Sequence, residues 1–547
     1  MTIEKVTTSQ KMKKKQISKS TVLTVFIALL ILFLTGASPR VYRYGKSLYA
    51  KIQLFSEIII TINEEYVEEK DPQELIESAI KGMVSDLDPH TSYLSSEDFE
   101  RWNQSYEGYS GIGVTFDIIR DKITIMSVMV DGPSDKVGLQ AGDRIVAIEG
   151  NSAVGMKRDE VPLKLMGPKG TRVRVTIERP GWDQNEEYVI TRDEVHVESV
   201  PYAFMLEPGT GYIGIIRFSS TTVRELEDHL QSLESQGIER LVLDLRSNGG
   251  GRLDAAVDVC DKFLPKEKRI VYTKGRIRKS FREYFSTGRA THTLYPLIVL
   301  IDRASASASE IVAGAMQDWD RGLVVGETSF GKGLVQRQYP FKDGSALFMT
   351  TARYYTPSGR LIQRSYDDKS LQEYYEEIVN DSLYKKQEAD ASRPSYKTLI
   401  LERKVYGGGG ISPDITLKAS REPLNSIVRK IIIEPDRPLF TFSEEYVRTH
   451  PELKNDLDDF ILNYNPDDRA LDEFLGHVRN QGFQITEQEF QKNKSDIQFI
   501  LKQSIAAEIW DNQARYRVQL LRDRELQEAL TYFPDAQGLL QKAYHVK

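Results

Sequence analysis

The spacing of hydrophobic positions changes several times along this chain, and each change marks a candidate boundary. Between residues 47 and 85, Leu54, Ile58, Ile59 and Ile62, then Leu75, Ile76, Ile80 and Met83, recur at helical spacing and predict two helices. Asp88-Pro89-His90-Thr91 interrupts that pattern. Alternating runs at 114–116, 122–130, 144–149 and 172–178 then predict strands, with Gly-Pro and Ala-Gly-Asp turns between them, in a compact β-rich module at 106–181. From 211 to 335 short apolar strands (212–218, 241–245, 297–301, 323–325) alternate with helices (224–236, 253–264, 308–318), the pattern of an α/β layer. The charged, Tyr-rich stretch 366–397 reads as an insertion or surface helix. Beyond 422 the chain is polar and helical. Leu471, Phe474, Leu475 and Val478 form one stripe ending at Gly482, and Ser495 is placed at the cap of one long helix reaching about 533, with Ile497, Leu501, Ile505 and Ile509 along one face.

The amino terminus is patterned differently. Lys5, Lys11, Lys13, Lys14, Lys15 and Lys19 face a single acid, Glu4, and twenty uncharged residues follow from Ser20 to Pro39. A basic flank before an apolar run is an export signal. Thr35-Gly36-Ala37 offers a small-x-small cleavage site, while ~30 Å of helix from twenty residues is also enough for an uncleaved anchor. Either outcome exports the rest of the chain to the periplasm or cell envelope. At 547 residues the protein needs more than one hydrophobic core, and 40% hydrophobic residues exclude wholesale disorder. A net charge of −7 gives no basic field for nucleic acid. Cys260 is the only cysteine, so there is no intramolecular disulfide and no cysteine zinc site; it reads as a small core residue.

Three segments offer chemistry. Gly326 to Lys332 fits the spacing of a phosphate-binding loop, but Gly333 stands where Ser or Thr would hold magnesium, and residues 334–339 alternate like a strand instead of opening a helix. Lys332 between two glycines is nevertheless open to desolvation. Ala304-Ser305-Ala306-Ser307-Ala308-Ser309-Glu310 lies at a strand-to-helix turn. A serine there projects its hydroxyl beside helix amides that can hold an oxyanion, and the alternative reading is helix capping by Ser307 or Ser309 with Glu310. Asp244-Leu245-Arg246-Ser247-Asn248-Gly249-Gly250-Gly251 is a third strand-to-helix turn, with glycines that allow φ > 0. All three fall at the carboxyl ends of strands of one sheet, the edge where ligand sites gather.

Together these segments resemble the signature of the carboxyl-terminal processing, or tail-specific, serine proteases. Ser305 to Glu310 matches the family's S-A-S-A-S-E run, 325–336 its lysine segment and 244–251 its D-L-R-x-N-x-G-G segment; 87–94, 355–359 and 407–414 match further landmarks. The resemblance spans about 55–417. It implies Ser307 as nucleophile, Lys332 as base, Gln336 as the lysine's support, and the amides of Gly250 and Ala308 as the oxyanion hole. It further implies a crotonase/Clp-like α/β protease core with an inserted PDZ domain, where Gly111, Ile112, Gly113 and Val114 stand at the loop that binds a substrate's terminal carboxylate. Gly132-Pro133-Ser134 exchanges proline and serine relative to the commoner turn, away from that loop.

The expected organisation is therefore multidomain α/β: a signal or anchor at 1–40, N-terminal helices at 41–105, PDZ at 106–181, protease core at 182–420 and a helical extension at 421–547. Protein substrates bound by their carboxyl-terminal tails are the expected partners, with no metal, cofactor or nucleic acid. The extension is read as packing on the core, self-associating or receiving an adaptor, so that a chain cut near Arg421 is expected to keep its chemistry. One rival is a Ser-His-Asp hydrolase, but the seven histidines (His90, His196, His229, His292, His450, His477, His545) read as turn or surface residues, and no G-x-S-x-G elbow surrounds Ser307. The other is a non-enzymatic PDZ scaffold, which the presence of Ser307 and Lys332 disfavours.

Overall fold

The computed structural model describes residues 39–545, apart from 130, 196, 290, 291, 293, 368, 381, 383, 385–392 and 419–425. The expected signal or anchor lies almost wholly outside the described residues. Among these, no helix is long and apolar enough to cross a membrane. The chain divides into two compact units, one ending at Asp86 and the other running from Leu87. The first holds the two expected helices, Pro39–Glu65 and Pro72–Ser85; the second helix is capped by Asp71, whose carboxylate accepts from Gln73 N.

The second unit is built round a six-stranded sheet in the order Tyr202–Glu207, Thr210–Gly214, Arg240–Asp244, Leu297–Ile301, Leu323–Gly326 and Ile415–Thr416. Only the first pair is antiparallel. The register pairs Gly214 with Asp244, Asp244 with Leu300 and Leu300 with Val325, so the loops after these strands leave from one edge. Both faces are buried, which is why the strands read as unbroken apolar runs. Leu241, Leu243, Leu297 and Val299 face the helices Thr222–Ser235, Leu253–Phe263 and Ala308–Asp318. Val242, Ile298, Leu300 and Val325 pack on Leu526, Phe533, Ala536 and Leu539 from the carboxyl-terminal helices.

A five-stranded sheet lies beside it, with Ser92–Leu94, Arg269–Lys274 and Leu334–Pro340 all paired to the long strand Ala346–Tyr355. The β-rich module forms its own antiparallel sheet over a core of Ile123, Ile145, Val173, Val175 and Ile190, closed by the short helix Glu160–Leu165.

The carboxyl-terminal third differs from the single long helix expected after Ser495. The helix Glu487–Ile509 begins at Thr486, where Glu489 completes a capping box, and Ser495 lies inside it. Asp511 and Asp523 then cap two new helices, Asn512–Leu520 and Arg524–Leu530, and Pro534 lies in the first turn of a third, Phe533–Tyr544. An aspartate that satisfies free amides at a helix start restarts the chain in a new direction even where the apolar pattern continues. Leu471, Phe474, Leu475 and Val478 are buried with Phe442, Phe490 and Leu501 in a helical core of their own, so that stripe is covered from within the chain.

Candidate active site

Ser307 is the N-cap of the helix Ala308–Asp318, at φ 55° and ψ −108°. A non-glycine residue at positive φ costs of order 1–3 kcal/mol, and such strain gathers where a side chain must be presented. A strained residue that opens a helix is compatible with both the capping and the nucleophile reading. Glu310, fully buried, turns back to accept from Ser307 N at 2.8 Å. The same carboxylate accepts from Ser329 Oγ at 2.5 Å, Gly331 N at 2.7 Å and Lys332 N at 2.9 Å. One buried acid thus pins the serine turn to the lysine loop. Burial pushes its carboxyl pKa up, against the pull of these four donors.

Lys332 extends from that loop and donates from Nζ to Gln336 Oε1 at 2.7 Å. Gln336 in turn donates from Nε2 to the carbonyl of His90 at 2.5 Å. A carbonyl only accepts, so this bond fixes the amide and leaves its oxygen facing the lysine. Burial holds the lysine pKa below its ordinary value, against Glu310 and Asp88. Gln336 lies in the strand Leu334–Pro340, which starts two residues after Lys332 and pairs with Ala346–Tyr355, and the ladder is irregular between Val335 and Gln336.

His90 lies in the expected turn but is buried, which corrects only the reading of a surface residue. Its Nε2 lies 3.1 Å from Tyr374 Oη, and its ring meets Phe330 and Tyr374 edge-on. Burial, helped by Lys332, lowers its pKa to about 4, so the ring is neutral at pH 7. Asp88 ties the segment down through His90 N, Thr91 N and Thr350 Oγ1. Tyr374 lies on the helix Leu371–Val379, inside the stretch expected to be an insertion. His292 is likewise buried, between Glu227 and Glu234.

Gly250 lies against the serine. A Cβ built there would stand 2.8 Å from Ser307 Cβ and 3.0 Å from Ala308 N, and φ is 99°, so only glycine fits. Ala308 opens its helix, where an amide has no partner within the helix. The Gly250 amide is engaged, donating to Asn248 Oδ1 at 2.9 Å. Asn248 is fully buried and holds the two segments together: its carbonyl accepts from Ala306 N at 3.0 Å and from Ser309 Oγ at 2.9 Å. Sequence reasoning missed Glu310 as a bridge, together with His90, Asn248 and Tyr374. His90, Asn248 and Glu310 each stand in a segment that matches a family landmark, but that match did not mark their partners; Tyr374 carried no signal.

In the β-rich module, Ile112 and Val114 line a cavity of about 480 Å³ with Phe116, Pro162, Leu165 and Met166. It lies between the strand Val114–Ile119 and the helix Glu160–Leu165, the place where an extended peptide adds to a sheet edge. Gly113 turns the loop at φ 75°.

Comparison with known proteins gives four matched regions. Residues 209–368 match peptidase family S41, 124–179 a PDZ domain, 39–98 the N-terminal domain of the activating protease CtpB, and 437–511 a family of unknown function. A carboxy-terminal-processing protease of Bartonella bacilliformis is 39% identical over 320 residues, 58% of this chain and 73% of that protein. The carboxy-terminal processing protease CtpB of Bacillus subtilis is 37% identical over 308 residues, 55% of this chain and 64% of that protein. Among solved structures, a photosystem II D1 C-terminal processing protease aligns at 25% identity over 70% of this chain and 98% of its own, with a TM-score of 0.34.

Proposed function

This chain belongs to peptidase family S41, the serine-type carboxy-terminal processing proteases, and from that premise we propose that it is an exported endopeptidase working through a Ser307–Lys332 dyad. The observation that carries the reading is the shared carboxylate: Glu310 accepts from the backbone of both Ser307 and Lys332. The amine of Lys332, neutral once deprotonated, takes the Ser307 proton as Oγ attacks the peptide carbonyl, while Gln336, which does not titrate, orients it. The oxyanion is received by the Ala308 amide and by the Gly250 amide as it exchanges Asn248 Oδ1 for the new anion. Collapse of the tetrahedral intermediate, with the proton passing from the Lys332 ammonium to the departing nitrogen, releases the amine product and restores the free amine. Water then hydrolyses the acyl-enzyme by the same steps.

Substrate choice follows from the groove of the PDZ domain. Its apolar lining favours an apolar last side chain, and the loop from Gly111 to Val114 is where the terminal carboxylate would be received. Export by residues 1–40 rests on the basic flank and apolar run alone. The deciding experiment is cleavage of an unstructured protein by wild type, Ser307→Ala and Lys332→Ala, each with a free or an amidated carboxyl terminus. Loss of turnover in both variants and slower cleavage of the amidated substrate are expected. Near-normal activity in either variant removes the dyad; equal rates for the two substrates remove the tail recognition.

A further inference from the structure

The loop that carries Gly250 begins at Arg246, and the guanidinium there is held from two sides. Asp244, at the end of its own strand, accepts from Nη2 at 2.6 Å and from Nε at 3.0 Å. Asp523, from the far end of the chain, accepts from Nη2 at 2.7 Å and from Nη1 at 3.1 Å, a bidentate pair. Glu525 adds a contact to Nη1 at 3.2 Å. Asp523 is itself fixed as the cap of Arg524–Leu530, accepting from Leu526 N at 2.9 Å. That helix is anchored on the sheet through Leu526 and Ala529.

From this clamp the loop has little freedom before the oxyanion donor. Ser247 stands at φ 57°, with its amide and hydroxyl on Asp302. Asn248 then ties to Ala306, Ser309 and Gly250. Three carboxylates round one guanidinium are more than its charge needs, since one acid neutralises Arg246 and each further anion there must be desolvated and repelled by the others. A bidentate contact from a helix outside the matched protease region, on a residue four positions before Gly250, is what a positional restraint needs.

We propose that Asp523, supported by Glu525, is a positioning residue for the oxyanion loop, so that the carboxyl-terminal helices are a working part of the active site. The inference rests on the Ser307–Lys332 reading and goes beyond it. Because oxyanion donors act on the transition state more than on bound substrate, loosening the loop lowers kcat and leaves KM.

The test uses the full chain carrying Asp523→Asn or Glu525→Gln, which keep shape and remove charge, and Asp523→Glu, which keeps the charge. Turnover of a short peptide, affinity for a peptide boronic acid that forms a tetrahedral adduct on serine, and folded fraction by tryptophan fluorescence are measured together. Asp523→Asn is expected to lower kcat and weaken boronate binding by roughly tenfold each, with KM within about twofold, Glu525→Gln to act in the same direction but less, and Asp523→Glu to recover part of the loss. The proposal is overturned if both neutral variants keep wild-type kcat and boronate affinity, or if the lost rate matches the lost folded fraction. Ser307→Ala run alongside separates the two readings: if wild-type turnover survives that change, the dyad has failed and not the clamp.

Discussion

A lysine is a base only as the free amine, so in the proposed dyad Lys332 sets the pH dependence of the chemistry. Burial holds its pKa below 10.5, and activity is therefore expected to rise with pH along a limb whose midpoint lies below that value, as a kcat/KM profile will show. Lys332→Arg keeps the charge and cannot be deprotonated; a loss of roughly 10²–10⁴-fold is expected with the unfolding midpoint little changed. His90 acts on stability. Its folded pKa of about 4 lies below the ordinary 6.5, so the unfolded chain takes up the proton first. The stability it contributes is present above pH 6.5 and is lost as pH falls through 4, at a cost of about 3 kcal/mol. Urea unfolding at pH 7 and pH 4.5 should show that slope in wild type and a shallower one in His90→Gln. Ser307, Lys332 and Gln336 could be proposed from the sequence because each lies in a local motif. His90 and Glu310 could not, because their roles are defined by Gln336 and by the lysine loop, partners that only the fold brings near.

Elements were read most accurately where burial alone sets their pattern. The strand Leu297–Ile301 and the helix Ala308–Asp318 fall on the residues the sequence predicts, since both are buried almost throughout. The long helix after Ser495 failed because an apolar face continues across Asp511 and Asp523, whose side chains stop one helix and cap the next. Within Glu487–Ile509, Glu508 carries a prediction of its own. Burial, with Glu444 nearby, raises its pKa to about 7 from 4.5. A carboxyl raised in the fold stabilises below its unfolded pKa, and that contribution is lost as pH rises through 7, about 3 kcal/mol in all. Glu508→Gln is expected to stabilise the protein at pH 8 and to change little at pH 5, which thermal unfolding at the two values will reveal.

At the scale of the molecule, the carboxyl-terminal region joins the other parts of the second unit. Arg437 pairs with Asp117 of the PDZ domain at 2.6 Å. Tyr516 stacks on Tyr202 at 3.7 Å and bonds to Tyr212 Oη at 2.9 Å in the protease core. The helices from Arg524 onward cover one face of the central sheet. A chain cut at 420 therefore exposes Val242, Ile298, Leu300 and Val325, and the expectation that it keeps its chemistry is revised: loss of soluble, active protein is the predicted outcome, read from the soluble fraction and from binding of a hydrophobic dye. The sequence by itself determined the family, the order of the regions and the candidate residues of the proposed dyad, because these are written in short motifs and in the period of buried positions. The tertiary structure alone decided what holds those residues in place. A hydrogen bond from Gln336 to His90, or from Arg246 to Asp523, joins positions hundreds of residues apart, and no local pattern of spacing or polarity marks such a pair before the chain has folded.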